Sequence, residues 1–185
     1  MFLLFPREIS APKRRVVYNW EQMKEIINKS NGKSNVFTTI YGFKDVQTKT
    51  TFDGFNYDVC DYTTANVDKL FFDFANEQCY NNVFKLHNYL LAKNLKHTIN
   101  CSGRKYHLYV LVKNSEFCEH LKDAVYNAQV SICNDLGFRF GQENHNAPDN
   151  PDIDTKPGFG NLAGLTRLPN TFNPTAQRFC IRLNK

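Results

Sequence analysis

A chain of 185 residues with 42% hydrophobic and 14% aromatic content can close one domain around a real core; sixteen Phe and nine Tyr exclude a disordered polymer and favour a sheet-containing fold. The net charge of +5 permits a partner bearing phosphates without requiring one. Six cysteines without a CxxC pair point to buried, reduced thiols in an intracellular protein, and no run is long enough for a membrane span or, ahead of Pro6, for a signal peptide.

The first predicted element is a short amphipathic helix in "NWEQMKEIINKSNG". Asn19 is its N-cap, Gln22 follows three residues later, Trp20, Met23, Ile26 and Ile27 form the apolar stripe, and Asn31-Gly32 stops it. "NVFTTIYGF" reads as a strand, and the polar, Thr-rich stretch after it reads as a loop. Residues 1–66 are therefore expected to form an N-terminal α/β module.

From Val67 the order is strand "DKLFFDF", a helix over about 76–94, strand "HTINCS", a turn through "GRK", strand "YHLYVLV", and a helix over about 115–136 ended by Gly137. This is the βαββαβ order of a ferredoxin-like or RNA-recognition-like sheet, so the expected class is α+β, with residues 67–185 as the main module and a cleft against the first. "LAGLTRL" and "QRFCIRL" are expected to complete that sheet. Between them and the last helix, "GQENHNAPDNPDIDTKPGFG" reads as a long functional loop.

Three clusters could carry chemistry. On a strand, residues i and i+2 share a face, so in "LFFDFA" Asp73 and Ala75 point away from Phe72 and Phe74. In "CSGRKYH", Ser102, Arg104 and His107 surround a glycine turn that lets a backbone approach a phosphate chain; a plain hairpin with polar tips would show the same residues. In the long loop, Asp152 and Asp154 are turn formers or, beside another carboxylate, ligands for Mg²⁺ or Mn²⁺ in phosphoryl chemistry.

In this order and spacing, "LFFDFA", "CSGRKYH", "IDTKPGFGNLAGLTRL" and the downstream "RLPNTFN" resemble the motifs of the archaeo-eukaryotic primase superfamily, in particular the small primase-polymerase domains of plasmids and viruses. The resemblance runs from about Val67 to Leu183. It implies a DNA primase and polymerase that transfers nucleotides from (d)NTPs on a single-stranded DNA template, with a helicase or accessory helical domain as a companion. It further implies Asp73 and Asp154 as ligands of Mg²⁺ or Mn²⁺, Asp152 as their reserve, Ser102, Arg104 and His107 as the triphosphate grip, and Arg167 as a supporting charge.

Ala75 departs from the pattern, because it stands where the family carries its second motif-one aspartate. That implies either a binding-only relative or a catalytically blocked variant, and the retained nucleotide-gripping residues favour the latter. Two rivals fit less well. An RNA-recognition module wants a basic, aromatic central strand, which "YHLYVLV" lacks, and a rolling-circle nuclease wants a His-hydrophobe-His pair, for which His107 has no partner.

Overall fold

The computed structural model describes residues 3–74, 76–116, 118, 120–140 and 151–183. Ala75 and residues 141–150 of the predicted long loop lie outside them. The chain begins with strands β1 (Arg7–Ser10) and β2 (Arg14–Val17), helix α1 (Trp20–Ser30), β3 (Phe37–Thr39) and β4 (Gly42–Phe43). Helix α1 starts where its cap predicts: the Asn19 side chain accepts from the Gln22 N–H at 3.0 Å. Its buried Met23 packs with Ile9, Val17, Val36 and Leu168 in a small core of its own.

The stretch expected to loop out is instead a two-stranded ribbon, β5 (Val46–Thr50) and β6 (Asn56–Cys60). Thr48 and Thr50 hydrogen-bond Asp58 and Asn56 across it, so polar side chains supply the pairing that an apolar face would normally provide.

After a single 3₁₀ turn the chain enters β7 (Ala65–Phe74), within which the expected boundary at Val67 falls. Then follow α2 (Cys79–Ala92), β8 (His97–Cys101), β9 (Tyr106–Ser115), α3 (Leu121–Leu136), and the short strands β10 (Ile153–Asp154), β11 (Leu165–Arg167), β12 (Phe172–Asn173), β13 (Arg178–Phe179) and β14 (Ile181–Arg182). Helix α3 begins later than its apolar pattern suggests because β9 runs on to Ser115, and it ends at Gly137 in the left-handed conformation, φ 63°.

The main sheet has the order β10-β7-β9-β8-β14, with β4 also paired to β7; the second sheet is β11-β3-β1-β2. One expectation is corrected here. "QRFCIRL" does supply an edge strand, β14 against β8, but "LAGLTRL" does not join the main sheet: β11 crosses to the N-terminal sheet and pairs with β3, Thr166 opposite Thr38. The mixed α+β architecture is thus two antiparallel sheets tied together by a strand from the end of the chain.

Alternation along β7 fixes what each face of the main sheet does. Phe72 and Phe74 are fully buried; Phe72 meets Phe159 edge-on at 5.9 Å between centroids, Phe74 meets Phe138 at 5.9 Å, and both join Val83, Leu86, Leu90 and Val125 of the helices in the larger core. Lys69, Phe71 and Asp73 project from the other face, and the Lys69 Nζ donates to the Ile40 carbonyl at 3.1 Å. Gly158 passes so close that an added Cβ would lie 2.6 Å from the Phe71 carbonyl oxygen. Phe72→Ala should therefore cost about 3–5 kcal/mol in urea unfolding, whereas truncation of Phe52, exposed at the ribbon tip, should leave the midpoint unchanged.

Candidate active site

The register of β7 with its two neighbours assembles the site. Asp73 stands opposite Asp154 of β10 on one side and opposite His107 of β9 on the other. Directly opposed residues of an antiparallel ladder project from one face, so Asp154, Asp73 and His107 form a row across three strands, and the β8–β9 hairpin extends it to Asn100. The row lies on the face away from Phe72 and Phe74.

The electrostatics of the row are unusual. The Asp73 Oδ1 is buried and has no hydrogen-bond partner among the described residues, and the His107 Nε2 lies 3.7 Å from it. Burial pushes the Asp73 carboxyl up to about 6; Lys105 opposes that shift and Asp154 adds to it. Burial, then the positive charges of Arg167 and Lys105, push the His107 imidazole down to about 3, so at neutral pH it is uncharged and the two residues are not an ion pair.

Asp154 is half-buried, and its Oδ1 accepts from the Lys156 N–H at 3.1 Å, which leaves its other oxygen for a ligand. Among the described residues no group of three or more His, Cys, Asp or Glu is arranged to hold a metal ion. Two carboxylates from adjacent strands, one with an orphan oxygen, are nonetheless a donor set that suits one hard divalent ion completing its shell with water and phosphate oxygens.

Arg167 comes to the same region on β11. It is buried, its Nη2 donates to the Asn35 Oδ1 at 2.9 Å, its guanidinium sits 4.6 Å from the Phe37 ring centre, and its Nη1 has no partner among the described residues. Ser102 and Arg104 shape the β8–β9 turn. The Ser102 Oγ donates to the Lys105 carbonyl at 3.1 Å, and the Arg104 Nη2 donates to the Thr175 carbonyl at 2.9 Å while its side chain stays exposed. Gly103 turns between them at φ 106°, and the Asn173 Nδ2, donating to the Ser102 carbonyl at 2.8 Å, pins the turn to the C-terminal loop.

Two details depart from the sequence reading. His107 does not flank the glycine turn but lies inside β9, buried and edge-on to Phe71 at 5.3 Å, because the turn ends at Lys105. Asp152 is not a spare ligand. Its Oδ1 accepts from Asn76 at 2.6 Å and Asn82 at 3.0 Å, and its Oδ2 from the Arg139 N–H at 2.9 Å. Burial acts to raise its pKa, but the hydrogen bonds from Arg139 and Asn76 outweigh it and hold the carboxylate below its usual value, as befits a structural anchor.

The sequence reading passed over Asn100, Lys105, Tyr109 and Thr166. A period of two from His107 places Lys105 and Tyr109 on its face, and a four-residue turn places Asn100 opposite it, so three of these were legible in the hairpin. Thr166 was not, since it arrives from the other sheet.

No known family model and no curated protein matches the sequence. Among solved structures, the fold is similar to that of the polymerase domain from Mycobacterium tuberculosis ligase D in complex with DNA, with a TM-score of 0.52 and 11% identity; the match covers 81% of this chain and 52% of that one. At that identity the likeness is one of fold, and this chain spans about half the length of its structural neighbour.

The raised Asp73 carboxyl carries a stability signature. Between the unfolded value near 4 and the folded value of about 6, the folded chain keeps a proton that the unfolded chain has lost, so this group makes stability fall as pH rises through that window. In chelator, Asp73→Asn should be more stable than the parent by about 1–3 kcal/mol at pH 7.5, and the gain should vanish near pH 4 in paired urea titrations.

Proposed function

We propose that this chain is the catalytic module of a primase-polymerase: it binds a nucleoside triphosphate with Mg²⁺ or Mn²⁺ against a single-stranded DNA template and directs nucleotidyl transfer to a 3′-hydroxyl, or to a second nucleotide when a strand is begun. The observation that carries the reading is the cross-strand row of Asp154, Asp73 and His107, which joins the first, second and third sequence motifs on one sheet face. The fold likeness to a polymerase domain supports it. So does the strand order β10-β7-β9-β8, which we read as ferredoxin-like.

In this reading Asp73 and Asp154 hold the divalent ion, which when bound would neutralise the triphosphate and the developing charge of the transfer. An orphan carboxylate oxygen in a buried position is costly in the free protein, and a cation is the partner that relieves it. His107, neutral, donates a hydrogen bond to a phosphate oxygen. Arg167 offers its Nη1, which has no partner among the described residues, and Lys105 and Arg104, both exposed on the turn, add charge where the phosphates enter. Ser102 fixes the turn that carries them.

Two carboxylates suffice to hold one ion but fall short of the usual two-ion arrangement, so the chain as it stands should bind a triphosphate and turn it over slowly. The test is extension of a primed single-stranded template with labelled nucleotides and Mn²⁺, run beside Ala75→Asp. Calorimetry should detect Mn²⁺-dependent triphosphate binding to both proteins, and only Ala75→Asp should extend efficiently. Absence of triphosphate binding to either protein would defeat the reading; binding with both inert would leave a binding-only relative.

Two further outcomes follow. Arg104→Ala and Lys105→Ala should each weaken triphosphate binding roughly tenfold while leaving the thermal midpoint unchanged, because both side chains are exposed and charge-assisted contacts to phosphate are worth about 1.5–3 kcal/mol. Affinity for single-stranded DNA should fall linearly on a log-log plot against salt, a flat response being incompatible with backbone recognition.

A further inference from the structure

The ribbon of β5 and β6 leaves the sheets at the far end of β7 from the candidate active site. Strand β4, just before it, pairs with β7 at Ala65 and Asn66, on the order of 25 Å along that strand from Asp73. Register divides the ribbon's side chains between two faces. Thr48 stands opposite Asp58 and Thr50 opposite Asn56; on that face the hydroxyls bond across the ribbon, and the Tyr18 hydroxyl donates to the Asp58 Oδ2 at 2.9 Å. Its polar groups are satisfied and tie the ribbon to the segment between β2 and α1.

The other face is built differently. Lys49 stands opposite Tyr57, and the Thr51 N–H donates to the Phe55 carbonyl at 2.8 Å, which carries the pairing one step past the strands. Phe55 therefore falls two residues from Tyr57 and on the same side. Phe55 is 71% exposed and Tyr57 48%, and Phe52 stands fully in solvent on the turn that Gly54 closes at φ 84°. None of the three rings joins either core.

The spacing and chemistry of this face select its occupant. Side chains at i and i+2 of a strand are about 6.7 Å apart, twice the rise of about 3.4 Å at which bases stack, so one flat ring fits between Phe55 and Tyr57. Lys49, across the ladder from Tyr57, sets one cation beside that slot for a phosphate. Asp45 and Asp53 are exposed nearby, and Asp61 accepts from Gln47 and Thr63, so the ribbon is not strongly basic and stacking must supply most of the affinity. A protein partner is a poorer fit. Three aromatic side chains offer roughly 450–750 Å² even if wholly covered, short of the about 800 Å² per partner of a stable interface.

We propose that the face of the ribbon bearing Phe55, Tyr57 and Lys49 is a stacking platform for the unpaired bases of single-stranded nucleic acid, a contact surface separate from the row of Asp154, Asp73 and His107. It goes beyond the catalytic reading given above and shares with it only the single-stranded partner. It also accounts for large rings kept on a ribbon whose fold does not use them.

The experiment measures binding of a fluorescent oligothymidylate of about sixteen nucleotides, and of an abasic strand of the same length, to the whole chain in chelator without nucleotide. The unsubstituted chain should bind the thymidylate more tightly than the abasic strand. Phe55→Leu and Tyr57→Leu keep an apolar side chain but remove the ring; each should weaken thymidylate binding roughly fivefold, leaving abasic binding and the salt slope unchanged. Lys49→Ala should weaken both strands and lower the slope of log affinity against log salt by about 0.7. Should Tyr57→Leu fail to fold, Phe55→Leu carries the test from the more exposed position.

Unchanged thymidylate affinity in the leucine variants would overturn the platform, as would an equal loss for the abasic strand. A dimer of the unsubstituted chain that Phe55→Leu dissolves in sedimentation would overturn it too, by assigning the rings to self-association. If the unsubstituted chain binds neither strand, the platform falls while Mn²⁺-dependent triphosphate binding still decides the catalytic reading.

Discussion

The antiparallel register of β7 is the constraint on which the rest of this structure depends. Because opposed residues share a face, pairing Asp73 with Asp154 on one flank and with His107 on the other assembles the site without any loop having to hold it in place. A slip of one residue on either flank would turn Asp154 or His107 to the helix side, among Phe72 and Phe74, so the site and the core are specified by the same pairing. The cost of burying Phe72, Phe74, Leu108 and Ile99 incorrectly far exceeds that of misplacing a carboxylate, and it is the core that enforces the register.

That enforcement lets the chain keep a row of groups that are poor for stability. The Asp73 Oδ1, the Asn100 Oδ1 and the Arg167 Nη1 are all buried without partners among the described residues, and all lie on or beside the face that carries His107. Unpaired polar atoms of this kind are uncommon in folded proteins and tend to mark places where a ligand completes the bonding. Asp152, close by in sequence, is the contrast: its carboxylate is satisfied by Asn76, Asn82 and Arg139, and its task is to hold the chain after α3 against α2. Two aspartates separated by one isoleucine thus serve different ends because Asp152 precedes β10 and is held by Asn76, Asn82 and Arg139, whereas Asp154 lies in β10, in register with Asp73.

The second sheet is more than an attached module. Its strand β11 comes from beyond α3, and Thr166 and Arg167 on that strand reach the same face as His107. Lys69 and Arg7 both donate to the Ile40 carbonyl and bind the sheets together. The geometry of the site therefore responds to anything that shifts one sheet against the other.

The sequence by itself determined the local elements and the faces of the strands. The Asn19 cap and the helical spacing of Met23, Ile26 and Ile27 announced α1, Gly137 announced the end of α3, and the alternation in "LFFDF" separated Asp73 from its phenylalanine neighbours, because each of these rests on contacts within a few residues. Asp73, Asp154, His107 and Arg167 were readable as candidates from residue type and motif order. The ribbon of β5 and β6 went unread although Asp53-Gly54 signals a hairpin, since its strands carry no apolar face to mark them. Only the tertiary structure decided that Asp152 is an anchor, that His107 is buried, and that β11 leaves the main sheet for the other one. Those outcomes depend on partners distant in the chain, Arg139 and Asn76 for the first, Phe71 and Thr166 for the second, and Phe37 to Thr39 for the third. Strand alternation says which way a residue faces; which element packs against that face is settled by competition among all the apolar surfaces of the chain at once, and no local pattern records the result.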